Sequence, residues 1–362
     1  MREPADHSQQ GMSPSSENPE HERQLLAAAK RGDEGAFERL VEPYRGELQA
    51  HTYRMVGSLH DAEDAMQEAL LRAWRGIGRF EGRSSLRSWL YTITTNAALR
   101  LIERRPKRVL PIEFGPAADP HGEVGKPLVE SAWVEPYPDE RLAAEGTEFS
   151  PEARYEQRES IELAFTAAMQ HLPPRQRAAL IMTDVLGFSP GEVAEALEAT
   201  PASIYSALQR ARKATEERLP EPSQQVMLQQ AGDDCIKDTV DRFMEAWESA
   251  DVDEISSLLT ADCDFVMPPW AEWFHGRDAV LDFLPRGPLR LRWKTVPTSA
   301  NGQPAFGAYW TDDEGALHAE GIVVLSFNAD GEVSQITAFR DPDLLPKFGL
   351  PLAMDPEGSS DL

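Results

Sequence analysis

Six side chains between residues 203 and 213 have types and spacing that could work together: Ser203, Tyr205, Ser206, Gln209, Arg210 and Lys213. Spaced one to three residues apart, they fall along one face of a helix. The chemistry they suit is non-covalent, with hydrogen-bonding groups for base edges and cations for phosphates. A helix that presents them must bury its other side, and Ile204, Leu208, Ala211 and Thr215 recur three and four residues apart to do so. Thr200-Pro201 opens that helix with a capping side chain and a proline at the first helical position. Upstream, Ser189-Pro190-Gly191-Glu192 has the form of a capping box and starts a shorter helix in which Val193 and Leu197 share a face. Two short helices joined by a three-residue turn, the second apolar behind and cationic in front, make a helix-turn-helix fit for the major groove. An ordinary helical hairpin with a solvated basic face is the competing reading.

A second constellation lies near the N-terminus. Residues 61–75 place Ala62, Ala65, Met66, Ala69, Leu70, Ala73 and Trp74 in one stripe at helical periodicity. Asp61, Asp64, Gln67 and Glu68 form an acidic and amide face on the other side. A loop containing Phe80 leads to a further helix, in which Leu86, Trp89, Leu90, Ile93, Ala97 and Leu101 face a core. Arg87, Asn96, Arg100, Arg104, Arg105, Lys107 and Arg108 supply polar and basic groups, concentrated toward its end. Aromatics interleaved with such a stripe suit a surface that holds unstacked bases and their phosphates, although Trp89 and Tyr91 taken singly read as scaffold residues.

Together the two segments resemble an RNA polymerase sigma factor of the extracytoplasmic-function class, over roughly residues 23–110 and 151–219. DAEDAMQEALLRAW resembles the region 2 helix that docks on the β′ clamp of core RNA polymerase. FEGRSSLRSWLYTITTNAALRLIERR resembles the part that melts and reads the −10 promoter element, and LPPRQRAALIMTDVLGFSPGEVAEAL with SIYSALQRARKA resembles region 4, which reads the −35 element. The resemblance implies that Asp61, Asp64, Gln67 and Glu68 face the clamp. It implies that Phe80, Arg87, Trp89, Asn96, Arg100 and Arg104 serve the −10 element, a flipped base being captured around Phe80–Asn96. Ser203, Tyr205, Ser206, Gln209, Arg210 and Lys213 would meet the −35 duplex. Core RNA polymerase, through its β′ clamp and β flap, and promoter DNA are the implied partners. No cofactor and no metal is implied. A regulator that binds duplex DNA without polymerase is the rival, and the acidic helix argues against it.

The chain has 362 residues and a formal net charge of −25, an odd balance for a DNA-binding protein until it is partitioned. Residues 23–110 hold 16 basic and 11 acidic residues, whereas residues 220–362 hold 9 basic and 26 acidic. The acidity therefore lies outside the proposed DNA-contacting parts, where it would weaken non-specific binding or serve solubility alone. No apolar run is long enough for a membrane span and no signal peptide is evident, so a cytoplasmic protein without membrane contact is expected. Cys235 and Cys263 lack metal-ligand spacing and read as buried free thiols. The expected organisation is a disordered tail (1–22), region 2 (23–110), a linker (111–150), region 4 (151–219), a second linker (220–233), a C-terminal domain (234–350) and a tail (351–362). Within the first linker, Ala132-Trp133-Val134-Glu135-Pro136-Tyr137-Pro138-Asp139 is too aromatic for a solvated segment. It resembles the Trp-Pro motif of sigma factors that carry an extra C-terminal domain, and is expected to dock on a partner surface.

That C-terminal domain begins with an amphipathic helix carrying Ile236, Val240, Phe243, Met244 and Trp247, then a short helix, a strand at Cys263–Met267 and a third helix around GRDAVLDFL. Four further strands follow, the last two joined by a turn at Asn328-Ala329-Asp330-Gly331. The order implies an α+β cone and resembles the SnoaL-like or ketosteroid-isomerase-like superfamily. The fold class expected for the whole chain is thus multidomain, with two all-α sigma domains followed by this cone. Trp270, Trp273, Phe274, His275, Tyr309, Trp310 and His318 are candidates to line a pocket at its open end. The resemblance implies a regulatory domain in place of, or beside, an anti-sigma protein, responding to a small-molecule ligand or another protein. The Asp-Gly-Gly-Gly-Arg motif of the best-known group of such proteins is absent from the sequence. The alternative is a bifunctional protein whose cone is an isomerase, cyclase or hydrolase, for which Asp264 and His318 are the available groups.

Overall fold

Five α-helices open the computed structural model, which describes residues 19–128, 133–143 and 158–354. They are α1 (Pro19–Lys30), α2 (Glu34–Val41), α3 (Arg45–Val56), α4 (Leu59–Gly76) and α5 (Leu86–Ile102). Of the expected N-terminal tail, residues 1–18 lie outside the described residues, and α1 begins within its remainder. Ser58 Oγ accepts the Asp61 N–H at 3.1 Å and caps α4. Gly57, at φ +72°, turns α3 into it, and a Cβ there would meet Gln170 at 2.9 Å. Ala62, Ala65, Met66, Ala69 and Ala73 are buried, as the stripe on α4 requires. In α5, Leu86, Leu90 and Ala97 are buried as expected, but so are Tyr91, Thr94, Thr95 and Ala98. A helix buried nearly all round must be covered on two sides.

The segment after α5 holds two single turns, α6 (Pro111–Phe114) and α7 (Glu140–Ala143). The helix-turn-helix domain comprises α8 (Leu163–Gln170), α9 (Pro174–Leu180), a wider turn of helix at Ile181–Val185, α10 (Pro190–Ala196) and α11 (Pro201–Glu216). Both capping boxes form: Ser189 N–H reaches Glu192 Oε2 at 2.9 Å, and Thr200 N–H reaches Ser203 Oγ at 3.2 Å. Residues 220–233, expected as a linker, instead contain α12 (Gln224–Ala231). The buried Glu162 carboxylate accepts the N–H groups of Gln225 at 2.7 Å and Gln224 at 3.3 Å, supplying from a distance the cap that this helix start needs.

The C-terminal domain is a cone of three helices, α13 (Asp233–Ser249), α14 (Val252–Leu258) and α15 (Arg277–Phe283), against a curved sheet. Its strands are β1 (Leu259–Val266), β2 (Trp273–His275), β3 (Arg292–Ala300), β4 (Gln303–Thr311), β5 (Leu317–Phe327), β6 (Val333–Phe339) and β7 (Ala353–Met354). They run in the order β2-β1-β6-β5-β4-β3, with β7 beside β5. All pairs are antiparallel except β1 with β6, so the sheet is mixed. Asn301-Gly302 forms the two-residue turn between β3 and β4, with φ of +57° and +71°. Cys263 is buried, but Cys235 is exposed, because it sits at the outer edge of α13 beside Gly331.

Strand alternation gives the sheet two apolar faces. Phe306, Ala308, Val323 and Leu325 point to the cone helices, where Phe243, Trp247 and Phe265 complete an inner core. Ala305, Tyr309, Ile322 and Val324 point outward and meet Leu344, Leu345 and Phe348. Leu110 and Val134 of the joining segment and Leu163 and Ala167 of α8 belong to the same outer core. Each such large side chain removed from water contributes about 1.5–3 kcal/mol, so the outer face of the cone anchors the rest of the chain.

Candidate nucleic-acid interface and its cover

The recognition surface is built on α11. Ile204, Leu208, Ala211 and Thr215 are buried, and Ser203, Tyr205, Ser206, Gln209, Arg210 and Lys213 are all exposed along the other side, Tyr205 to 62%. Arg212, which points away from that row, is held by Asp184 through two bonds of 2.9 and 2.7 Å. The helix therefore offers an uninterrupted polar and cationic face.

On α4, Asp64, Gln67 and Glu68 are exposed. Asp61 is not, and corrects the expected face: it is 1% exposed, with its carboxylate held by Arg108 at 2.5 Å and Arg105 at 3.5 Å. Its position in the first turn aims it back toward the segment that follows α5. Leu71, missed from the sequence, is 55% exposed beside Gln67 and Glu68. A leucine outside the apolar stripe of α4, one turn beyond Gln67 and Glu68, was the available signal. Glu63, also overlooked, bonds Arg141 at 2.8 Å and Lys347 at 2.5 Å; burial pushes its carboxyl up, but the hydrogen bonds and charges of these two cations outweigh it and hold the pKa below the usual range.

The basic helix surface expected to hold unstacked bases is largely covered. Phe80 is buried against Trp89, with ring centroids 5.1 Å apart. Arg87 donates to Glu47 at 3.1 and 3.0 Å, and its guanidinium lies 4.9 Å from the rings of both Tyr91 and Phe188. Phe188 comes from the helix-turn-helix domain, as does Ala196, whose carbonyl accepts from Asn96 Nδ2 at 3.5 Å. Arg100 is partly buried and Arg104 is exposed. Beneath α5, burial and the neighbouring Arg54 and Arg87 lower His51 to about 3, so it stays neutral and bonds Thr95 at 2.8 Å. Of the expected partners of DNA, Arg87 and Asn96 thus meet another part of the same chain, because α9 and α10 supply the second side on which α5 is buried, whereas Phe80 and Trp89 pack on each other.

Three further locks fix this arrangement. The buried Arg177 guanidinium bonds Gln170 Oε1 at 2.6 Å and the Met55 carbonyl, and burial lowers it to about 10. Arg54 donates to the carbonyl and hydroxyl of Ser160, both at 3.0 Å. The aromatic linker motif supplies the third. Trp133, Val134 and Tyr137 are buried, and Glu135 Oε2 accepts the Leu59 N–H at 2.9 Å, helping to cap α4. The motif docks inside the chain, between the helical domains and the cone; its Ala132 lies outside the described residues. Asn301, fully buried at the β3–β4 turn, accepts the Tyr137 N–H at 2.8 Å and donates to Tyr53 Oη at 2.9 Å and to the Ile161 carbonyl at 2.7 Å. One side chain of the cone thereby ties together α3, the linker and the approach to α8.

The cone encloses a cavity of about 470 Å³, lined in part by Trp247, Phe265, Trp270, Phe283 and Trp293. Of the expected pocket residues only Trp270 is there. Phe274 is buried in the core, stacked 4.1 Å from Phe283, and Tyr309 lies on the outer face with its hydroxyl on the Pro351 carbonyl at 2.8 Å. Trp273 binds the Gly115 carbonyl at 2.8 Å, His318 bonds Asp312 at 2.7 Å with Trp310 stacked on its ring, and His275 bonds Asp264 at 2.7 Å. Burial raises Asp264, but neither it nor His318 reaches the cavity. Alternation along β4 puts Tyr309 on the face of the sheet opposite to its cavity-lining neighbour Ala308. The ionisable lining residues are His121, Arg286, Glu320 and Arg340, and the last two pair with each other.

Comparison with known proteins matches three parts of the chain. Residues 40–108 match the Sigma-70 region 2 family, residues 162–214 the Sigma-70 region 4 family and residues 240–336 the SnoaL-like domain family. Over 333 residues the chain is 40% identical to the ECF RNA polymerase sigma factor SigG of Mycobacterium tuberculosis, covering 90% of this chain and 86% of that protein. It is 28% identical over 211 residues to the RNA polymerase sigma-H factor of Pseudomonas aeruginosa, covering 55% of this chain and 94% of that one. The crystal structure of the Mycobacterium tuberculosis extracytoplasmic function sigma factor SigJ shares the fold, with a TM-score of 0.53 and 24% identity over 85% of this chain and 97% of that one. Among the described residues no helix is long and apolar enough to cross a membrane.

Proposed function

The chain belongs to the extracytoplasmic-function RNA polymerase sigma factors, and from that premise we propose how its surfaces divide the work of initiation. As a sigma factor it binds core RNA polymerase and directs it to promoters, and its C-terminal domain regulates that activity. Asp64, Gln67, Glu68 and the overlooked Leu71 form the face of α4 that meets the β′ clamp, and region 4 engages the β flap. The exposed row on α11 reads the −35 element. Phe80, Arg87, Trp89, Asn96, Arg100 and Arg104 serve the −10 element once region 4 has moved away. The chain works in the cytoplasm, where its polymerase is. The cone performs no catalysis: the sole carboxylate among the described cavity-lining residues, Glu320, is already paired with Arg340.

One observation carries the regulatory part: α5 is covered by region 4 while α11 is open. The two promoter elements, by their names, are about 25 base pairs apart, roughly 85 Å of B-DNA at ~3.4 Å per step. Helices packed side by side lie about 8–10 Å apart, so regions in mutual contact cannot occupy both elements. The arrangement is a closed state, and the cone holds it through the outer face of its sheet and through Asn301. Partners that bind only the open state shift the equilibrium by their differential affinity. Run-off transcription with bacterial core polymerase tests the proposal, comparing the full chain, an Asn301→Gly variant and a chain ending near Leu219. Promoter-dependent transcripts that rise several-fold in the variant support it. Transcripts that do not change remove the cone from control, and no transcript with no core binding overturns the assignment of surfaces.

A further inference from the structure

The cavity in the cone is not closed by the cone alone. Pro120, His121, Gly122, Val124 and Gly125 form part of its wall, and they belong to the segment joining region 2 to region 4. That segment is held at the rim by hydrogen bonds. Ala118 N–H reaches the Trp273 carbonyl at 2.8 Å, Gly125 N–H reaches Glu272 Oε1 at 2.9 Å, and Leu128 N–H reaches the Pro269 carbonyl at 2.8 Å. Trp270 and Trp273 answer with indole donors, to the carbonyls of Gly125 at 3.1 Å and Gly115 at 2.8 Å. Apolar anchoring is sparse by comparison: Ala118 packs on the inner core, while Val124 is 41% exposed. The strap lies over the cavity with most of its side chains outward, so contact from beneath is what it lacks.

The lining specifies what could supply that contact. Six aromatic residues, the five named above and Phe339, together with the apolar Met267 and Val323, favour a flat, ring-bearing molecule. At the rim Arg340 lies 4.3 Å from the Trp270 ring centroid and pairs with Glu320, while Arg286 adds a second cation. Among the lining residues two guanidinium groups stand against one carboxylate, Arg286 being bonded to His121 of the strap and Glu272 lying at the rim on the Gly125 N–H, so the lining itself suits an anionic or carbonyl oxygen. A volume of about 470 Å³ lies in the usual range for small-molecule sites, roughly 300–1,000 Å³.

We propose that the cavity binds a flat, ring-bearing small molecule with an anionic or carbonyl end, and that this ligand sits beneath the inter-region strap at residues 115–128. A ligand touching both cone and strap binds the docked strap better than the released one, so occupancy shifts the chain toward the closed state. The ligand then acts as a co-repressor. This last step rests on the reading of the compact arrangement as a closed, inactive state; the site itself does not.

The test uses the full chain and 8-anilinonaphthalene-1-sulfonate, a ring-bearing anion whose fluorescence reports burial. The expected result is one dye per chain, with affinity lowered at least ten-fold by Ala308→Phe, which fills the cavity from β4, and by Arg340→Gln. Val124→Asp, on the exposed strap and safe for folding, should weaken binding several-fold. Hydrogen exchange of residues 115–128 should slow when the dye is bound. Equal binding by wild type, Ala308→Phe and Val124→Asp overturns the site, and strap exchange that is unchanged or faster overturns its place beneath the strap. Run-off transcription on the same samples separates the two readings. Binding and slowed exchange with undiminished transcription leave the site standing and overturn the co-repressor role.

Discussion

Asn301 Nδ2 donates to Tyr53 Oη at 2.9 Å, joining residues 248 positions apart in the sequence and belonging to the cone and to region 2. Tyr53 passes the bond on, its hydroxyl donating to the Glu135 carbonyl at 2.7 Å. Asn301, Tyr53, Tyr137 and Ile161 are fully buried, so each depends on the others for its hydrogen bonds. Burial, more than any neighbour, pushes the Tyr53 phenol above its ordinary pKa.

Removing the Asn301 side chain should therefore loosen the closed state without disturbing its turn. Glycine accepts the positive φ at this position, so Asn301→Gly isolates the side chain. Leaving the Tyr137 N–H and Ile161 carbonyl without partners should cost about 1–3 kcal/mol in denaturant unfolding. Exchange of α5 amides should quicken at the same time. Unaltered exchange in α5 would separate this network from the cover over the −10 surface.

Promoter affinity should depend on Arg210 and Lys213 through salt. Changing either to alanine should weaken binding and lower the salt slope by about one. Arg212→Ala provides the control, because Asp184 holds that guanidinium off the reading face. A drop in slope for Arg212→Ala equal to the others would mean that a different face of α11 meets the phosphates.

Leu71→Asp should cripple polymerase binding and leave folding alone. The side chain is already more than half exposed, and substitutions at such sites usually alter stability by less than about 0.5 kcal/mol. Core binding should weaken at least ten-fold in a pull-down or titration, with thermal unfolding unchanged. Wild-type binding would sink the assignment of this face to the clamp.

The stability of the chain should fall between pH 4.5 and 7 on account of Glu162. Burial raises this carboxyl to about 7 from an ordinary 4.5. The folded chain then holds more protons than the unfolded one across that window, so unfolding becomes easier as pH rises through it. Glu162→Gln removes the titration. The variant should match wild type at pH 5 and exceed it at pH 8 by on the order of 2–3 kcal/mol, as measured by urea unfolding at the two values. Parallel profiles for the two proteins would contradict the assignment.

The parts of the site that could be read from sequence are those governed by local rules. One cap, Thr200, and a 3.6-residue period are enough to orient α11, so its buried and exposed residues fall as expected. Asp61 fails because its face is decided by Arg108, 47 positions away. The segments at 111–150 and 220–233 look like linkers because Pro, Gly and polar residues dominate them outside the aromatic motif, and what orders their described parts is burial of Trp133, Val134 and Tyr137 and hydrogen bonding to remote residues such as Asn301 and Glu162. The cone strands were legible, but alternation leaves two equivalent faces. Nothing in the pattern of β4 says that Ala308 sees the cavity while Tyr309 sees the opposite side. The Asn301-Gly302 hairpin signal was available and went unused, although its insertion among the helical domains was not foreseeable.

Val323 lines the cavity, and Val324, its neighbour on β5, belongs to the core that holds region 4 and the linker. A change that refits the cavity to a new molecule is thus one peptide unit from the surface that sets how firmly the sigma regions are retained. Chemical preference and regulatory threshold are therefore poor candidates for separate inheritance. Descendants of this chain that acquire a different ligand should also differ in how readily they open, and a transplanted cavity lining should carry its old threshold with it.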